Sequence, residues 1–237
     1  MSALHLSDLL RRDVSSDPVI TGVTADSRKV SPGALFVALP GTAADGRAFI
    51  PQALAQGAAA VLAPTDTPDG AAPVLVTSGD VRRAYAIAAR GFYGAQPKTC
   101  VAVTGTNGKT SVATFCRQIW AGIGHKSASM GTLGVIGQKG VKTYALTGPG
   151  LTSPDAAEAA RLMAELAAKD VTHVALEASS HGIDQRRLDG VALKAAAFTN
   201  LTQDHLDYHG TMADYRSAKM RPVSYTHLRA HETRGNL

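Results

Sequence analysis

The sequence predicts an α/β protein made of two consecutive domains, the second built on a mostly parallel sheet. Two observations support this fold class. Short apolar runs that suit strands alternate with helical segments over most of the 237 residues, which is the pattern of strand–helix–strand units. A Gly-Ala-Gln-Pro run at residues 94–97 then separates two such series, so we expect domains at residues 1–97 and 98–221.

In the first domain, strands are expected where apolar residues run between turn signals. The predicted strands lie at residues 34–39, 58–63 and 74–77, and the predicted helices at 50–57 and 80–93. Asp80 stands at the start of the second helix, and Pro51 is tolerated in the first turn of the first helix.

In the second domain the alternation is sharper. Strands are predicted at residues 100–104, 171–176 and 195–198, with helices at 110–121 and 212–220. A further helix is expected after Thr152-Ser153-Pro154-Asp155, where a hydroxyl would serve as the N-cap. Ligands are expected at the carboxyl ends of parallel strands.

Composition limits the possible partners. The formal charge of +5 is spread without a run of Lys or Arg, and aromatic residues make up only 5%. This favours one small anionic ligand over a nucleic acid. Cys100 and Cys116 form no metal-binding pair or disulfide framework. No signal peptide or long apolar run is evident, so we expect a soluble, cytoplasmic protein without a membrane partner.

The strongest local signal is the run Gly-Thr-Asn-Gly-Lys-Thr-Ser between a predicted strand and a predicted helix. Gly105 and Gly108 let backbone N–H groups approach an anion, and the helix start adds partial positive charge. Lys109 can reach nucleotide phosphates, and the Thr110 hydroxyl can bind Mg²⁺. The spacing is shorter than the usual phosphate-loop pattern, because Val103 stands where the first glycine would fall. The alternative is a simple turn with an incidental lysine.

Two further segments follow predicted strands. Glu177 ends one strand beside the expected phosphate position, where a carboxylate suits Mg²⁺, although a helix cap is an alternative. The second segment, residues 199–210, is rich in ligand-type side chains. His205 and His209 have the spacing of a zinc pair but lack the accompanying Glu. Capping and solvated loop residues are the other interpretation.

Taken in order, these segments resemble the central domain of the Mur ligases. The runs GTNGKTS, LTSPDA, EASSHGIDQRR and FTNLTQDHLDYHGTMADYRSAK are similar to members that add the third residue of the peptidoglycan stem peptide. The run DSRKVSPGALFVALPG looks like the family's uridine-nucleotide-binding domain. The resemblance covers about residues 20–220. It implies a UDP-substrate-binding α/β domain, then an incomplete ATP-binding domain, with the amino-acid-binding domain absent.

The resemblance also implies roles for individual residues. Lys109 would hold the phosphates of ATP, and Thr110 would lie near one Mg²⁺. Glu177 and His205 would ligate a second Mg²⁺ together with Lys219, which matches a lysine that becomes carbamylated in this family. The implied ATP-binding residues are Gly105, Thr106, Asn107, Gly108, Lys109, Thr110 and Ser111. The implied substrate-binding residues are Ala25, Ser27, Thr42, Ala43, Ala44, Thr152, Ser153, Ser179, Gln185 and Arg187.

Local alternatives compete with several of these roles. Lys219 is otherwise an ordinary helix lysine, Thr152 and Ser153 are helix caps, and Ser27 is a turn residue. Arg187 suits a carboxylate, because its guanidinium can donate two parallel hydrogen bonds.

The implied reaction starts when ATP phosphorylates the D-Glu side-chain carboxylate of UDP-N-acetylmuramoyl-L-alanyl-D-glutamate. An amino-acid amine then attacks the acyl phosphate. The resemblance favours meso-diaminopimelate, but L-lysine stays open because the selecting domain is missing. We expect a monomer.

The resemblance stops near Met220. Pro222 is expected to end a helix that should continue, and residues 222–237 show no clear periodicity, so we expect a non-native tail and no ligase activity from this chain alone. Other interpretations are a Mur-like ligase of the folylpolyglutamate or cyanophycin synthetase type and a non-catalytic nucleotide-binding module. The DSRKVSPGALFVALPG run argues against the former.

Overall fold

A computed structural model describes residues 4–41, 44–146 and 153–225, which fall into two compact units. The first unit comprises residues up to Gln96 with Asp155–Glu165 and Gln185–Val191; the second comprises Pro97–Pro154, Leu166–Asp184 and the residues from Ala192 onward. Segments 155–165 and 185–191 therefore group with the first unit although they lie beyond its predicted range. The division at 1–97 and 98–221 stays a prediction.

The first unit contains a four-stranded, wholly parallel sheet in the order β1-β2-β3-β4. Its strands are β1 (Gly22–Thr24), β2 (Ala34–Val37), β3 (Ala60–Pro64) and β4 (Leu75–Ser78), and its helices before residue 97 are α1 (Leu6–Leu10), α2 (Ile50–Ala55) and α3 (Val81–Tyr93). All four residues of β2 are buried. The Asp80 carboxylate accepts a 3.0 Å hydrogen bond from the Arg83 amide, which confirms the predicted start of α3.

The second unit contains a six-stranded sheet in the order β10-β5-β9-β6-β7-β8. Its strands are β5 (Thr99–Thr104), β6 (Ser127–Gly131), β7 (Gly134–Lys139), β8 (Lys142–Leu146), β9 (His173–Glu177) and β10 (Leu193–Phe198). The helices are α4 (Lys109–Gly122), α5 (Ala156–Ala168, shared with the first unit), α6 (Ser180–Asp184), α7 (Leu206–His209) and α8 (Met212–Tyr225). Strands β10, β5, β9 and β6 are parallel to one another, and β7 pairs antiparallel with both β6 and β8.

The sheet is thus mixed, and the sequence did not predict β6, β7 or β8. Strand β6 (Ser-Ala-Ser-Met-Gly) lacks β-branched residues, so its pattern is not that of a strand. Strand β8 is largely polar and exposed, and it joins β7 through a tight turn at Gly140, whose φ is 57°. The small residues of β6 and the polar residues of β8 both weaken the apolar pattern on which strand prediction depends.

Two predicted helix boundaries are wrong, the N-cap of α5 and the last residue of α8. Asp155 caps α5, because its Oδ1 accepts from the amides of Ala157 and Glu158, whereas the predicted hydroxyl cap at Ser153 is engaged elsewhere; Thr152 lies outside the described residues. Helix α8 continues through Pro222 to Tyr225. Pro222 lies in the last turn, so only one backbone hydrogen bond is lost. Among the described residues, no helix has the length and apolar character needed to cross a membrane.

Candidate active site

The turn between β5 and α4 adopts a shape that requires its two glycines. Gly105 has φ 131° and Gly108 has φ 81°, both in the region that favours glycine. A Cβ at Gly105 would also lie 2.0 Å from Thr199 Oγ1. We call residues 105–111 the nucleotide loop. Its last residues form the first turn of α4, whose amides have no acceptor within the helix.

Residues 199–202, directly after β10, hold the nucleotide loop from one side. The Asn107 amide donates to Asn200 Oδ1 at 3.0 Å, and Asn200 Nδ2 donates to the Asn107 carbonyl at 3.1 Å. The Thr106 amide donates to the Asn200 carbonyl at 2.9 Å. Thr199 Oγ1 donates to the Asn107 carbonyl at 2.6 Å. The amides of Thr106 and Asn107 therefore already have acceptors, whereas the amides of Lys109, Thr110 and Ser111 lie in the first turn of α4, where the helix itself offers no acceptor.

The Thr106 side chain faces away from this anion position. Its buried hydroxyl accepts from the Thr202 amide at 3.0 Å and donates to the Thr202 carbonyl at 3.1 Å. The Tyr215 hydroxyl of α8 lies 3.1 Å from the same oxygen. Because the one Thr106 hydrogen points to Thr202, Tyr215 is the donor in that contact. Thr106 therefore anchors the nucleotide loop.

Two lysine ammonium groups converge on one carbonyl of the nucleotide loop. Lys109 Nζ donates to the Gly105 carbonyl at 3.0 Å and to the Thr106 carbonyl at 2.7 Å. Lys219 Nζ, which α8 supplies, donates to the Gly105 carbonyl at 2.7 Å. Burial lowers the pKa of Lys109, against the opposing effect of Glu177.

Lys219 is buried, with 1% of its surface exposed. Its ammonium lies 4.5 Å from the centre of the Tyr215 ring. Burial, followed by the charge of Lys109, lowers the pKa of Lys219 from 10.5 to about 8. A buried lysine of this kind holds a large neutral fraction near pH 8, which makes its amine a nucleophile.

Glu177, at the end of β9, is the buried carboxylate of this site. Its oxygens accept from Thr110 Oγ1 at 2.9 Å, from the Thr132 amide at 3.0 Å and from Thr132 Oγ1 at 3.2 Å. Gly131 permits this approach, because a Cβ there would lie 2.0 Å from Glu177 Oε1. The Thr110 hydroxyl in the first turn of α4 and the Glu177 carboxylate at the end of β9 are hard oxygen ligands of the kind that Mg²⁺ prefers.

His205, a further predicted metal ligand, follows β10 and lies at the start of α7. It adopts φ 52° at the start of α7, its Nε2 is 3.4 Å from Asp204 Oδ2, and its ring meets the His181 ring edge-on at 4.8 Å. Within the described ranges, no group of three or more His, Cys, Asp or Glu side chains is placed to hold a metal. The Thr110 hydroxyl and the Glu177 carboxylate are thus in direct contact, and the role of His205 as a ligand stays a prediction.

The predicted substrate residues are divided between the two units. In the second unit, Ser153 Oγ donates to the Glu177 carbonyl at 3.1 Å and accepts from the Ser179 amide at 3.1 Å. In the first unit, buried Ser27 donates to Gln52 Oε1 at 2.9 Å.

The other predicted substrate residues of the first unit lie in turns and short loops. Ala25 follows β1, and the Ala44 carbonyl accepts from the Gly41 amide. The Arg187 guanidinium donates to Gln185 Oε1 at 2.7 Å. Thr42, Ala43 and Thr152 lie outside the described residues.

Sequence reasoning missed Thr132, Asn200 and Tyr215 as parts of this site. Thr132 follows β6, which was not predicted, so no signal placed it beside Glu177. Asn200 and Tyr215 stood within the segment singled out as ligand-rich and its following helix. Their contacts depend on β10 pairing with β5, which brings the carboxyl ends of both strands together.

Comparison with known proteins agrees with this geometry. The Mur ligase middle domain model matches residues 103–230, and the Mur ligase family catalytic domain model matches residues 19–93. Among curated proteins, the chain is 64% identical over 218 residues to the UDP-N-acetylmuramoyl-L-alanyl-D-glutamate--2,6-diaminopimelate ligase of Caulobacter vibrioides, covering 92% of this chain and 45% of that protein. The protein of the same name from Rhizobium meliloti is 58% identical, with 92% and 43% covered.

Solved structures show the same relationship. A structure of a UDP-N-acetylmuramoyl-L-alanyl-D-glutamate--2,6-diaminopimelate ligase superposes with a TM-score of 0.78 at 31% identity, covering 92% of this chain and 44% of the other. A MurF ligase from Thermotoga maritima in complex with ADP shares the fold, with a TM-score of 0.56 at 20% identity over 93% of this chain and 44% of the other. The chain spans less than half the length of these relatives. On these matches, together with the arrangement of the nucleotide loop and Glu177, the chain belongs to the Mur ligase family.

Proposed function

We propose that this chain forms the ATP-binding and UDP-substrate-binding part of a ligase that joins 2,6-diaminopimelate to UDP-N-acetylmuramoyl-L-alanyl-D-glutamate. The curated relatives at 64% and 58% identity carry that name, which favours diaminopimelate over L-lysine. The observation that carries the proposal is the hydrogen bond between the buried Glu177 carboxylate and the Thr110 hydroxyl, which lies in the first turn of α4 directly after the glycine turn.

In this proposal the nucleotide loop binds the phosphates of ATP. The first-turn amides of α4 and the Lys109 ammonium face negative charge, and the helix dipole adds to the attraction. Thr110 and Glu177 would hold a Mg²⁺ ion, which neutralises charge on phosphate oxygens when bound. The residues act by positioning and electrostatics, because phosphoryl transfer needs little covalent help from the protein.

The reaction proceeds in two transfers. The terminal phosphoryl group of ATP passes to the D-Glu side-chain carboxylate, which gives an acyl phosphate and ADP. The amine of diaminopimelate then attacks the acyl carbon, phosphate leaves with the C–O bond pair, and the amine loses a proton.

Lys219 is proposed to become a carbamate. Its neutral amine attacks CO₂, an N–C bond forms, and the released proton passes to solvent. The product is an anion in place of an ammonium. The buried position of Lys219 and its lowered pKa of about 8 support this step, since only the neutral amine reacts. The carbamate would supply oxygen ligands near the nucleotide loop, and the proposed role of His205 as a further ligand rests on the family resemblance alone.

Titration calorimetry on the 237-residue chain tests the proposal. We expect both MgATP and UDP-N-acetylmuramoyl-L-alanyl-D-glutamate to bind. Lys109→Ala should weaken MgATP about 10- to 100-fold, because a charge-assisted contact to phosphate is lost, while Lys142→Ala on exposed β8 should leave it unchanged. Binding of a folate glutamate in place of the UDP-substrate would indicate a folylpolyglutamate-synthetase type. If the chain binds MgATP but neither the UDP-substrate nor a folate glutamate, a non-catalytic nucleotide-binding module is indicated.

A further inference from the structure

Two side chains of helix α8 contact neighbouring residues of the nucleotide loop, Gly105 and Thr106. Tyr215 and Lys219 are four residues apart and therefore share one face of the helix. Lys219 Nζ donates to the Gly105 carbonyl, and the Tyr215 hydroxyl donates to Thr106 Oγ1. Tyr215 is completely buried, so its hydroxyl cannot exchange this partner for bulk water. The helix that carries Lys219 is thereby bonded to the loop that would hold ATP.

We propose that Tyr215 is a positioning residue for nucleotide binding, acting through Thr106 on the nucleotide loop. This inference rests on the proposed function, because it assumes that residues 105–111 bind ATP. We expect no contact between Tyr215 and the nucleotide. The Tyr215 hydroxyl bonds to the Thr106 hydroxyl, which is also hydrogen-bonded to the main chain of Thr202.

The need for such a residue follows from the composition of the loop. Two glycines in four residues give the free loop many conformations, and ordering them costs conformational free energy on binding. Thr106 is the loop residue whose side chain is buried. Its hydroxyl makes the maximum of one donated and two accepted hydrogen bonds, to the Thr202 main chain and Tyr215. Holding Thr106 keeps the loop in its binding shape before the nucleotide arrives.

The ring of Tyr215 makes a second contact, which does not involve the hydroxyl. Its face lies 4.5 Å from the Lys219 ammonium. Tyr215→Phe retains this ring and removes only the contact with Thr106, so it isolates the proposed function of the hydroxyl. Tyr208→Phe is the matched control, because the Tyr208 hydroxyl donates to Asp184 at 2.8 Å, away from the loop.

The experiment is a double-mutant cycle on the 237-residue chain, with MgATP affinity measured by calorimetry. Tyr215→Phe should weaken MgATP about fivefold, and Tyr208→Phe less than twofold. Thr106→Val should weaken it at least as much as Tyr215→Phe. The double variant should be no weaker than Thr106→Val alone, because Tyr215 acts through Thr106. Hydrogen exchange should show faster exchange at the Thr106 and Asn107 amides in Tyr215→Phe.

Other outcomes separate this inference from the proposed function. If the wild-type chain binds MgATP and Tyr215→Phe binds it equally well, the positioning role is wrong while the proposed function stands. Additive losses in the double variant, or a loss matched by a general fall in the melting temperature, also overturn the role. If the wild-type chain does not bind MgATP, the proposed function fails and the inference fails with it.

Discussion

The two compact units differ in what their interiors contain. In the described part of the chain, the buried polar residues of the first unit are Ser27 and Thr67, both neutral. The buried charged residues, Arg117, Glu177 and Lys219, all belong to the second unit. The first unit therefore has an ordinary apolar interior, and the second retains charges away from water.

This difference indicates which buried residues serve stability and which serve nucleotide binding. Burying an ammonium or a carboxylate opposes folding unless partners compensate. Within the described ranges, Arg117 donates to the neutral side chains of Gln138 and Ser129, and burial lowers its pKa. Glu177 and Lys219 lie at the nucleotide loop. We infer that substitutions in the apolar core of the first unit change mainly the free energy of unfolding, whereas those near Glu177 and Lys219 change MgATP binding.

The largest expected effect comes from removing a core aromatic of the first unit. Phe36 of β2 is completely buried, so Phe36→Ala should lower the free energy of unfolding by about 3–5 kcal/mol. Phe115 on α4 is 57% exposed, and Phe115→Ala should change the free energy of unfolding by less than about 0.5 kcal/mol. Urea denaturation measures both. Equal losses in the two variants would contradict the assignment of Phe36 to a packed core.

Lys219→Met should increase stability in CO₂-free buffer without nucleotide. The folded-state pKa of Lys219 is about 8 against an ordinary value of 10.5. Below pH 8 both states carry the proton, so the folded protein bears the full cost of the buried charge. Allowing for the lost hydrogen bond to Gly105, we expect a gain of about 2 kcal/mol at pH 7.

The pH profile checks the sign of this effect. Between pH 8 and 10.5 the unfolded chain holds more protons at this site than the folded protein, so wild-type stability rises there relative to the variant. The advantage of Lys219→Met should therefore shrink across this window in urea denaturation curves. An advantage that stays constant from pH 7 to 10.5 would show that the charge of Lys219 is not its source.

Gly131→Ala tests the carboxylate position in the second unit. The new Cβ would lie 2.0 Å from Glu177 Oε1, so the carboxylate must move away from Thr110 and Thr132. MgATP affinity should fall about tenfold, which corresponds to about 1.4 kcal/mol. Gly122→Ala at the end of α4 meets nothing within 4 Å and is the control. Calorimetry should find unchanged affinity for that variant; an unchanged affinity in Gly131→Ala would remove Glu177 from the binding site.

The same contrast explains what the sequence could predict. Strands β2, β3 and β5 are apolar runs bounded by turn signals, and the structure confirms them to within two residues at each end. The nucleotide loop was predicted because Gly105, Gly108 and Lys109 lie within five consecutive residues. The order of these residues along the chain is enough to recognise the loop, and no long-range contact has to be known.

The remaining features depend on long-range pairing. Thr132 meets Glu177 because β6 pairs with β9, and β6 has no strand pattern. The Tyr215 hydroxyl meets Thr106 across 109 residues, and no local pattern indicates that contact. The antiparallel strands were missed for the same reason. Strand β7 joins the sheet through β6, which has no strand pattern, and β8 is largely polar and exposed.

The smallest expected effect is Tyr85→Phe in the first unit, the counterpart of Tyr215→Phe in the second. The buried Tyr85 hydroxyl lies 3.3 Å from Asp155 Oδ1, and burial raises its pKa. That oxygen also accepts from the Ala157 and Glu158 amides, so Asp155 keeps two partners in the variant. We expect a loss of about 0.5–1 kcal/mol in unfolding free energy and no change in MgATP affinity. The same atom is removed in both variants. A Tyr85→Phe chain with weakened MgATP binding would therefore mean that the two units are energetically coupled, and MgATP binding would no longer be a property of the second unit alone.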